Sequence, residues 1–267
     1  MNKKQVRLAI TGAYGRMGTS LIKEIEKQTN VLLSFVIVKK KYQDIITQKN
    51  EKIEIIENIE NIENKIDQFD ILIDFSTPKS TLKYLKICQL YKKKMIIGTT
   101  GFNKKELHVI KNYSKNIGIV FSYNFSIGIN LIFKLLEKTT KILDSSYDIE
   151  IIESHHRNKI DSPSGTALKL GEIISKYKKW NLDECSIYRK KEITKARKNN
   201  TIGFSIIRGG DTIGEHTVIY SGIGEKIKIS HLASNRSAFS KGAIKAAIWI
   251  QNQGPGLYDM IDVLNIS

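Results

Sequence analysis

Two cysteines, Cys88 and Cys185, are all that the 267 residues contain, and they stand far apart with no Cys-x-x-Cys or Cys/His ligand spacing. That scarcity excludes a disulfide framework and argues against a metal site, so both are read as plain thiols of a reducing compartment. Long apolar runs are missing too, and nothing approaches the ~18 residues of a membrane span. The opening MNKKQVRLAITG runs straight into an apolar strand, which leaves no room for a signal peptide; a soluble, cytoplasmic protein is expected. No recognised nucleic-acid motif accompanies the formal charge of +16. Lysines are scattered among many Ile and Asn, as AT-rich coding produces, so neither a nucleic acid nor a membrane is expected as a partner.

With 41% hydrophobic and 26% charged residues the chain has the balance of a packed globular protein, and its length suits two domains. From Val6 to Ser122 apolar strands (VRLAITG, VLLSFVIV, DILIDF, MIIGTT, IGIVFS) alternate with segments of helical period, the pattern of a doubly wound parallel sheet covered on both faces. Between them IIENIENIENK repeats Ile every third residue, which suits one short helix with an apolar stripe or a biased loop. Ser126 to Asp144 reads as a long amphipathic helix. Beyond it DIEIIES, TIGFSIIRG, EHTVIYSG and KIKISHLA predict a mostly antiparallel sheet, and Ser237 to Gln251 a helix returning to the first domain. The expected fold is α/β: a Rossmann-like domain from residues 1–126 and 236–267, and an α+β domain from 127–235.

Three segments carry chemistry. Gly12-Ala13-Tyr14-Gly15-Arg16-Met17-Gly18 joins the first strand to a helix, where glycines permit a tight turn and let backbone N–H groups meet a pyrophosphate. The spacing is G-x-x-G-x-x-G, not the commoner G-x-G-x-x-G, and purely structural turn glycines are the alternative. Gly98-Thr99-Thr100 and Ser122-Tyr123-Asn124-Phe125 follow later strands, where open parallel sheets place their ligand crevice. The densest cluster is ESHHRNKIDSPSGTA, Glu153 to Ala167. His155, His156 and Lys159 offer proton donors near neutral pH, while Ser164-Gly165-Thr166 opens a helix whose N–H groups suit a carboxylate.

The combination of GAYGRMG, GTTGF and ESHHRNKIDSPSGTA closely resembles the 4-hydroxy-tetrahydrodipicolinate reductase family, also called dihydrodipicolinate reductases. SYNFSIGIN, RGGDTIGEHTVIY and GLYDMIDVL extend the likeness over nearly the whole chain. The resemblance implies an enzyme that reduces a cyclic dicarboxylate with NADH or NADPH in lysine/diaminopimelate biosynthesis, and that assembles as a homotetramer through the sheet of its second domain. It makes His155 the proton donor/acceptor, Lys159 the second proton donor, and His156, Gly165 and Thr166 substrate-binding residues. Gly12, Ala13, Tyr14, Gly15, Arg16 and Met17 would form the pyrophosphate loop, with Gly98, Thr99, Thr100 and Ser122 to Phe125 around the nicotinamide. Where many relatives carry an acid after the second strand, this chain has Val38 followed by Lys39, Lys40 and Lys41; where some carry Arg in the D-F-T-x-P loop, it has Thr77. Lys39 is therefore a candidate partner for a 2′-phosphate, and NADPH is the favoured cofactor. A different two-domain dehydrogenase would need another nucleophile or acid in the middle region, where Cys185 lies outside every motif, and a non-enzymatic nucleotide-binding protein would be favoured by loss of the His155/Lys159 cluster, which is intact.

Overall fold

The computed structural model describes residues 5–38, 53–56, 59–188 and 196–266. It divides into two compact units, one built from Met1–Ile127 and Arg236–Asn265, the other from Gly128–Asn235.

The first unit holds a seven-stranded sheet, every strand parallel to its neighbours. Its members are β1 (Val6–Thr11), β2 (Val31–Ile37), β3 (Ile55–Ile56), β4 (Ile71–Asp74), β5 (Lys94–Ile97), β6 (Gly118–Phe121) and the last strand of the chain, β12 (Gly256–Tyr258). Leu8, Ala9, Ile10 and Ile71 to Ile73 are wholly buried, so residues pointing to both faces are covered and the strands read as unbroken apolar runs. The spatial order is β12-β6-β5-β4-β1-β2-β3. From β1 the chain winds outward to β3, then crosses back to β4 and winds the other way. The reversal falls between β1 and β4, the position at which such sheets open a ligand crevice at their carboxyl ends.

Among the described residues this unit has five α-helices: α1 (Arg16–Ile25), α2 (Pro78–Leu90), α3 (Lys104–Tyr113), α7 (Ser237–Ile250) and α8 (Met260–Leu264). Thr77 caps α2 and Asn103 forms a capping box with Glu106 on α3. Helix α7 buries Ala243, Ala246 and Ala247 in the same core as β1 and β4. Its Gly242 is required, because a β-carbon there would sit 1.7 Å from the carbonyl oxygen of Phe125. The isoleucine repeat forms a 3-10 helix, Ile59–Gln68. Within it Ile62 is fully buried.

The second unit contains α4 (Ile127–Ile142), β7 (Asp148–His155), α5 (Gly165–Lys178), α6 (Leu182–Cys185), β8 (Ser186–Tyr188), β9 (Ile202–Arg208), β10 (Gly214–Ser221) and β11 (Lys226–Ala233). Strand order is β11-β10-β7-β9-β8. Strand β10 is antiparallel to β7 and β11, but β7-β9 and β9-β8 are parallel. The sheet is thus mixed, where the strand pattern alone suggests a mostly antiparallel one. The cause is α5: a strand that returns beside its predecessor after a helical crossover runs in the same direction. Along β7 burial alternates, with Ile149, Ile151, Glu153 and His155 on the covered face, so an apolar face turns polar in its last four residues.

Candidate active site

In the first unit Ile37, Thr11, Asp74, Ile97 and Phe121 lie in one register row across five adjacent strands. All the loops singled out by sequence begin just past this row. Gly12 has φ +66°, and a β-carbon on it would lie 2.5 Å from Phe75 O. One on Gly18 would lie 2.4 Å from Ala13 Cα. Only glycine fits either place, so the turn that brings the chain into α1 at close quarters depends on both. Gly15 is the N-cap of α1 and supplies no side-chain cap, which leaves N–H groups of the first turn facing outward. Arg16 opens that helix and is exposed, as is Tyr14; Met17 is half-buried and Ala13 fully buried.

Gly98 donates its N–H to Asp74 O, 2.9 Å, and a side chain on it would strike the Phe75 ring. Thr99 is buried and Thr100 exposed. Ser122 Oγ bonds Asn124 O at 2.8 Å, while Asn124 Oδ1 accepts from Ser126 N at 2.8 Å, closing a tight loop. Tyr123 is exposed, but Phe125 is buried edge-on to Phe75, so any ligand meets its backbone only. Lys39 lies outside the described residues.

Asp74 binds these loops together. It is completely buried and accepts hydroxyls from Thr11, Ser76, Thr81 and Thr99. Burial raises its pKa above the ordinary range, and the four hydroxyls offset that only in part. Sequence reading passed it over because a lone Asp closing an apolar strand carries no signal.

In the second unit His155 ends β7, 7% exposed, and His156 follows with its N–H on Thr212 O at 2.7 Å. Lys159 reaches Asp161 with Nζ 2.8 and 2.9 Å from the two carboxylate oxygens. Burial opposes ionisation of Asp161, yet this bond holds its carboxyl below the usual range. Ser164 caps α5, accepting from Ala167 N, and Gly165 and Thr166 form the first turn. Beyond its two chain neighbours and the backbone of its own helix, no described atom lies within 4 Å of where a β-carbon would stand on the exposed Gly165. The segment thus gathers two histidines, a lysine and a helix start capped by Ser164, whose first turn opens with the exposed Gly165.

Three further residues complete this cluster. Glu153 is 1% exposed; its Oε1 accepts from Ser164 N at 2.9 Å and from Arg208 Nη2 at 2.8 Å, and its Oε2 lies 3.0 Å from His155 Nδ1. Burial works against its ionisation, but the close His155 contact and the bonds from Ser164 and Arg208 prevail and hold the carboxyl far below its usual range. His216 on β10 sits with its ring 5.0 Å from that of His155 and Nε2 3.2 Å from Ser164 Oγ. Burial, then the neighbouring His155, push it down to about 3, so it is neutral at working pH. Glu153, His155 and His216 also bring donor atoms within 4.8 Å of one another, a spacing compatible with a metal ion. Ser164 N and Arg208 occupy Oε1 of Glu153, while Oε2 is the oxygen that faces the two imidazoles.

Sequence models of "Dihydrodipicolinate reductase, N-terminus" match residues 6–125, and those of "Dihydrodipicolinate reductase, C-terminus" match residues 128–264. The chain is 51% identical to the 4-hydroxy-tetrahydrodipicolinate reductase of Buchnera aphidicola subsp. Acyrthosiphon pisum (strain APS), over 100% of both chains. It is 51% identical to that of the Schizaphis graminum subspecies, over 99% of this chain and 98% of the relative. A solved dipicolinate-bound dihydrodipicolinate reductase from Paenisporosarcina sp. TG-14 superposes with TM-score 0.78 at 24% identity, covering 98% of this chain and 100% of its own. A probable dehydrogenase from Thermotoga maritima shares the fold at TM-score 0.61 and 11% identity, over 97% and 92% of the two chains.

Proposed function

The chain belongs to the dihydrodipicolinate reductase family, and from that premise we propose that it reduces 4-hydroxy-tetrahydrodipicolinate to tetrahydrodipicolinate with NAD(P)H, losing water, in lysine/diaminopimelate biosynthesis. The observation that carries the reading is full-length identity of 51% to relatives that bear this activity in their names. It is an oxidoreductase with a Rossmann-like nucleotide-binding domain.

The residues present fit a dinucleotide. Gly12 and Gly18 form a turn that any β-carbon would fill, at the reversal point of a parallel sheet, against an uncapped helix start. When bound, the reduced nicotinamide supplies the hydride. In this reading Gly12 to Met17 hold the pyrophosphate, and Gly98 to Thr100 with Ser122 to Phe125 hold the nicotinamide end. His155 delivers the proton that balances hydride addition. Lys159 is a second proton donor and neutralises negative charge on the substrate, while His156, Gly165 and Thr166 bind it, the N–H groups of the α5 start taking a carboxylate.

NADPH is the favoured nucleotide, supported by Lys39 and Lys40 in place of an acid after β2. A homotetramer formed through the second sheet is supported by its open face, where Ile207, Ser154, Glu215 and Leu232 stand in one row and Ile207 and Leu232 are exposed. Sedimentation velocity checks it, a monomer being the contrary result. A cytoplasmic location agrees with two buried free thiols, and no described helix is long and apolar enough to cross a membrane.

The test is loss of NAD(P)H absorbance by purified protein with freshly generated substrate. His155→Ala and Lys159→Ala should each lower turnover by roughly a hundredfold while nucleotide affinity holds. NADPH should exceed NADH in kcat/KM by several-fold to about fiftyfold, less at high salt. Absence of substrate-dependent oxidation with either nucleotide overturns the reading.

A further inference from the structure

His155 is packed on every side by groups able to bias its proton. Glu153 lies two residues back on β7, His216 faces it from β10, Arg208 stands opposite it on β9, and the loop that follows carries Lys159 and Asp161. Of these only Glu153 touches the imidazole with a charge, Oε2 to Nδ1 at 3.0 Å, and both atoms are buried. The other oxygen of Glu153 is fixed by Ser164 N–H and Arg208, so the carboxylate cannot turn away. On its far side the ring borders Gly214, where a β-carbon would stand 3.1 Å from Nε2 and 3.4 Å from Cδ2. With glycine at that position, no side chain of residue 214 stands against Nε2.

We propose that Glu153 is a positioning residue for proton delivery, holding His155 through Nδ1–H so that Nε2, on the flank kept clear by Gly214, is the atom that exchanges the proton. The inference rests on the reading of His155 as proton donor and deepens it. A carboxylate behind an imidazole fixes its tautomer and orientation and stabilises the charged form. His216 does not compete for the carboxylate as a cation, because it stays neutral, and its Nε2 is 3.8 Å away. The Nδ1 contact is close but not aligned along the ring N–H, leaving both atoms without a linear hydrogen bond. Such bonds commonly tighten once substrate is in place. Glu153 also ties His155 to the α5 start through Ser164, so one buried charge sets both the proton donor and the carboxylate-binding turn.

A double-mutant cycle on the full chain separates this role from a merely structural one. Glu153→Gln, His155→Asn and the pair are assayed for kcat and for KM of the nucleotide. Expected is a fall in kcat of ~10- to 100-fold for E153Q, nucleotide KM within about twofold, and a further loss of less than about threefold when E153Q is added to H155N. Equal losses in both backgrounds would show that Glu153 acts on the fold alone and would overturn the proposal while leaving His155 its role. Near-normal turnover of H155N would remove the reading beneath it, and the proposal with it. Should E153Q not fold, Glu153→Asp, which keeps the charge but withdraws it by one methylene, is read in the same cycle against the same two outcomes.

Discussion

At the scale of single residues, His216 is a neutral histidine held inside a charged cluster. Its folded value of about 3 lies below the 6.5 of a free side chain, so on acidification the unfolded chain takes up a proton that the folded chain refuses. Stability is therefore full above about pH 6.5 and falls as the pH drops toward 3. Glu153, held low, adds a loss of the same sign but only below its ordinary 4.5, whereas buried Asp74, held high, has the opposite sign. Between pH 7 and pH 5 the His216 share is about 2 kcal/mol by the usual conversion of pKa to free energy. Urea unfolding at the two pH values should show that drop, and His216→Gln should remove most of it. An equal drop in the variant would sink the assignment. The residues that speak in sequence are those concentrated in a short run, such as His155, His156 and Lys159. Glu153 sits in that run too, but nothing in spacing says that its carboxylate points inward; β7 alternation shows that only once the strand and its covered face are known. Arg208 and His216 reach the cluster from strands more than fifty positions away, and no local pattern joins them.

At the scale of elements, the parallel sheet was legible because each strand is buried on both faces and so forms an apolar run. The third-residue Ile repeat left a short helix and a biased loop both open, and the structure makes it a 3-10 helix. Strand β12 was not legible: Gly256-Leu257-Tyr258 is too short for any periodicity, and it is a strand only because β6 offers it a free edge. The direction of β9 was hidden for a similar reason, since it depends on where α5 returns the chain. A long-range cap shows the same dependence. Lys94, at the start of β5, places Nζ 2.8, 2.6 and 2.7 Å from the carbonyls of Ile250, Gln251 and Gln253, at and just beyond the end of α7. The last carbonyls of a helix have no partner within it and carry its negative pole, so one ammonium meets the last helical carbonyl, the C-cap carbonyl and one of the following turn, together with the dipole. Lys94→Met keeps the aliphatic stem and removes the cap. A loss of about 1 to 3 kcal/mol is expected, seen as a Tm lower by several degrees with Lys94→Arg retaining part of it. A K94M protein that melts with the wild type would show that water caps α7 as well.

At the scale of the whole molecule, 43 basic against 27 acidic residues leave a net charge of +16, and the substrate and nucleotide of the proposed reaction are both anions. A compositional origin for the lysines does not cancel their field. Two contributions to anion capture then differ in range. Local pairs, such as Lys159 or the α5 start against a carboxylate, act at a few ångströms, while the summed surface charge acts over tens. Salt separates them, because the screening length falls from ~30 Å at 0.01 M to ~10 Å at 0.1 M and ~3 Å at 1 M. If the overall field draws substrate in, kcat/KM should fall several-fold as salt rises, with more than half of the logarithmic decline below about 0.1 M. Turnover at saturation should change by less than about twofold, since the bound anion is already in place. The measurement is an initial-rate series in substrate at fixed saturating nucleotide, with NaCl as the only variable. A decline confined to salt above 0.1 M would assign capture to the local pairs alone, and a kcat that falls in step with kcat/KM would mean that salt acts on the reacting site itself and not on the approach to it.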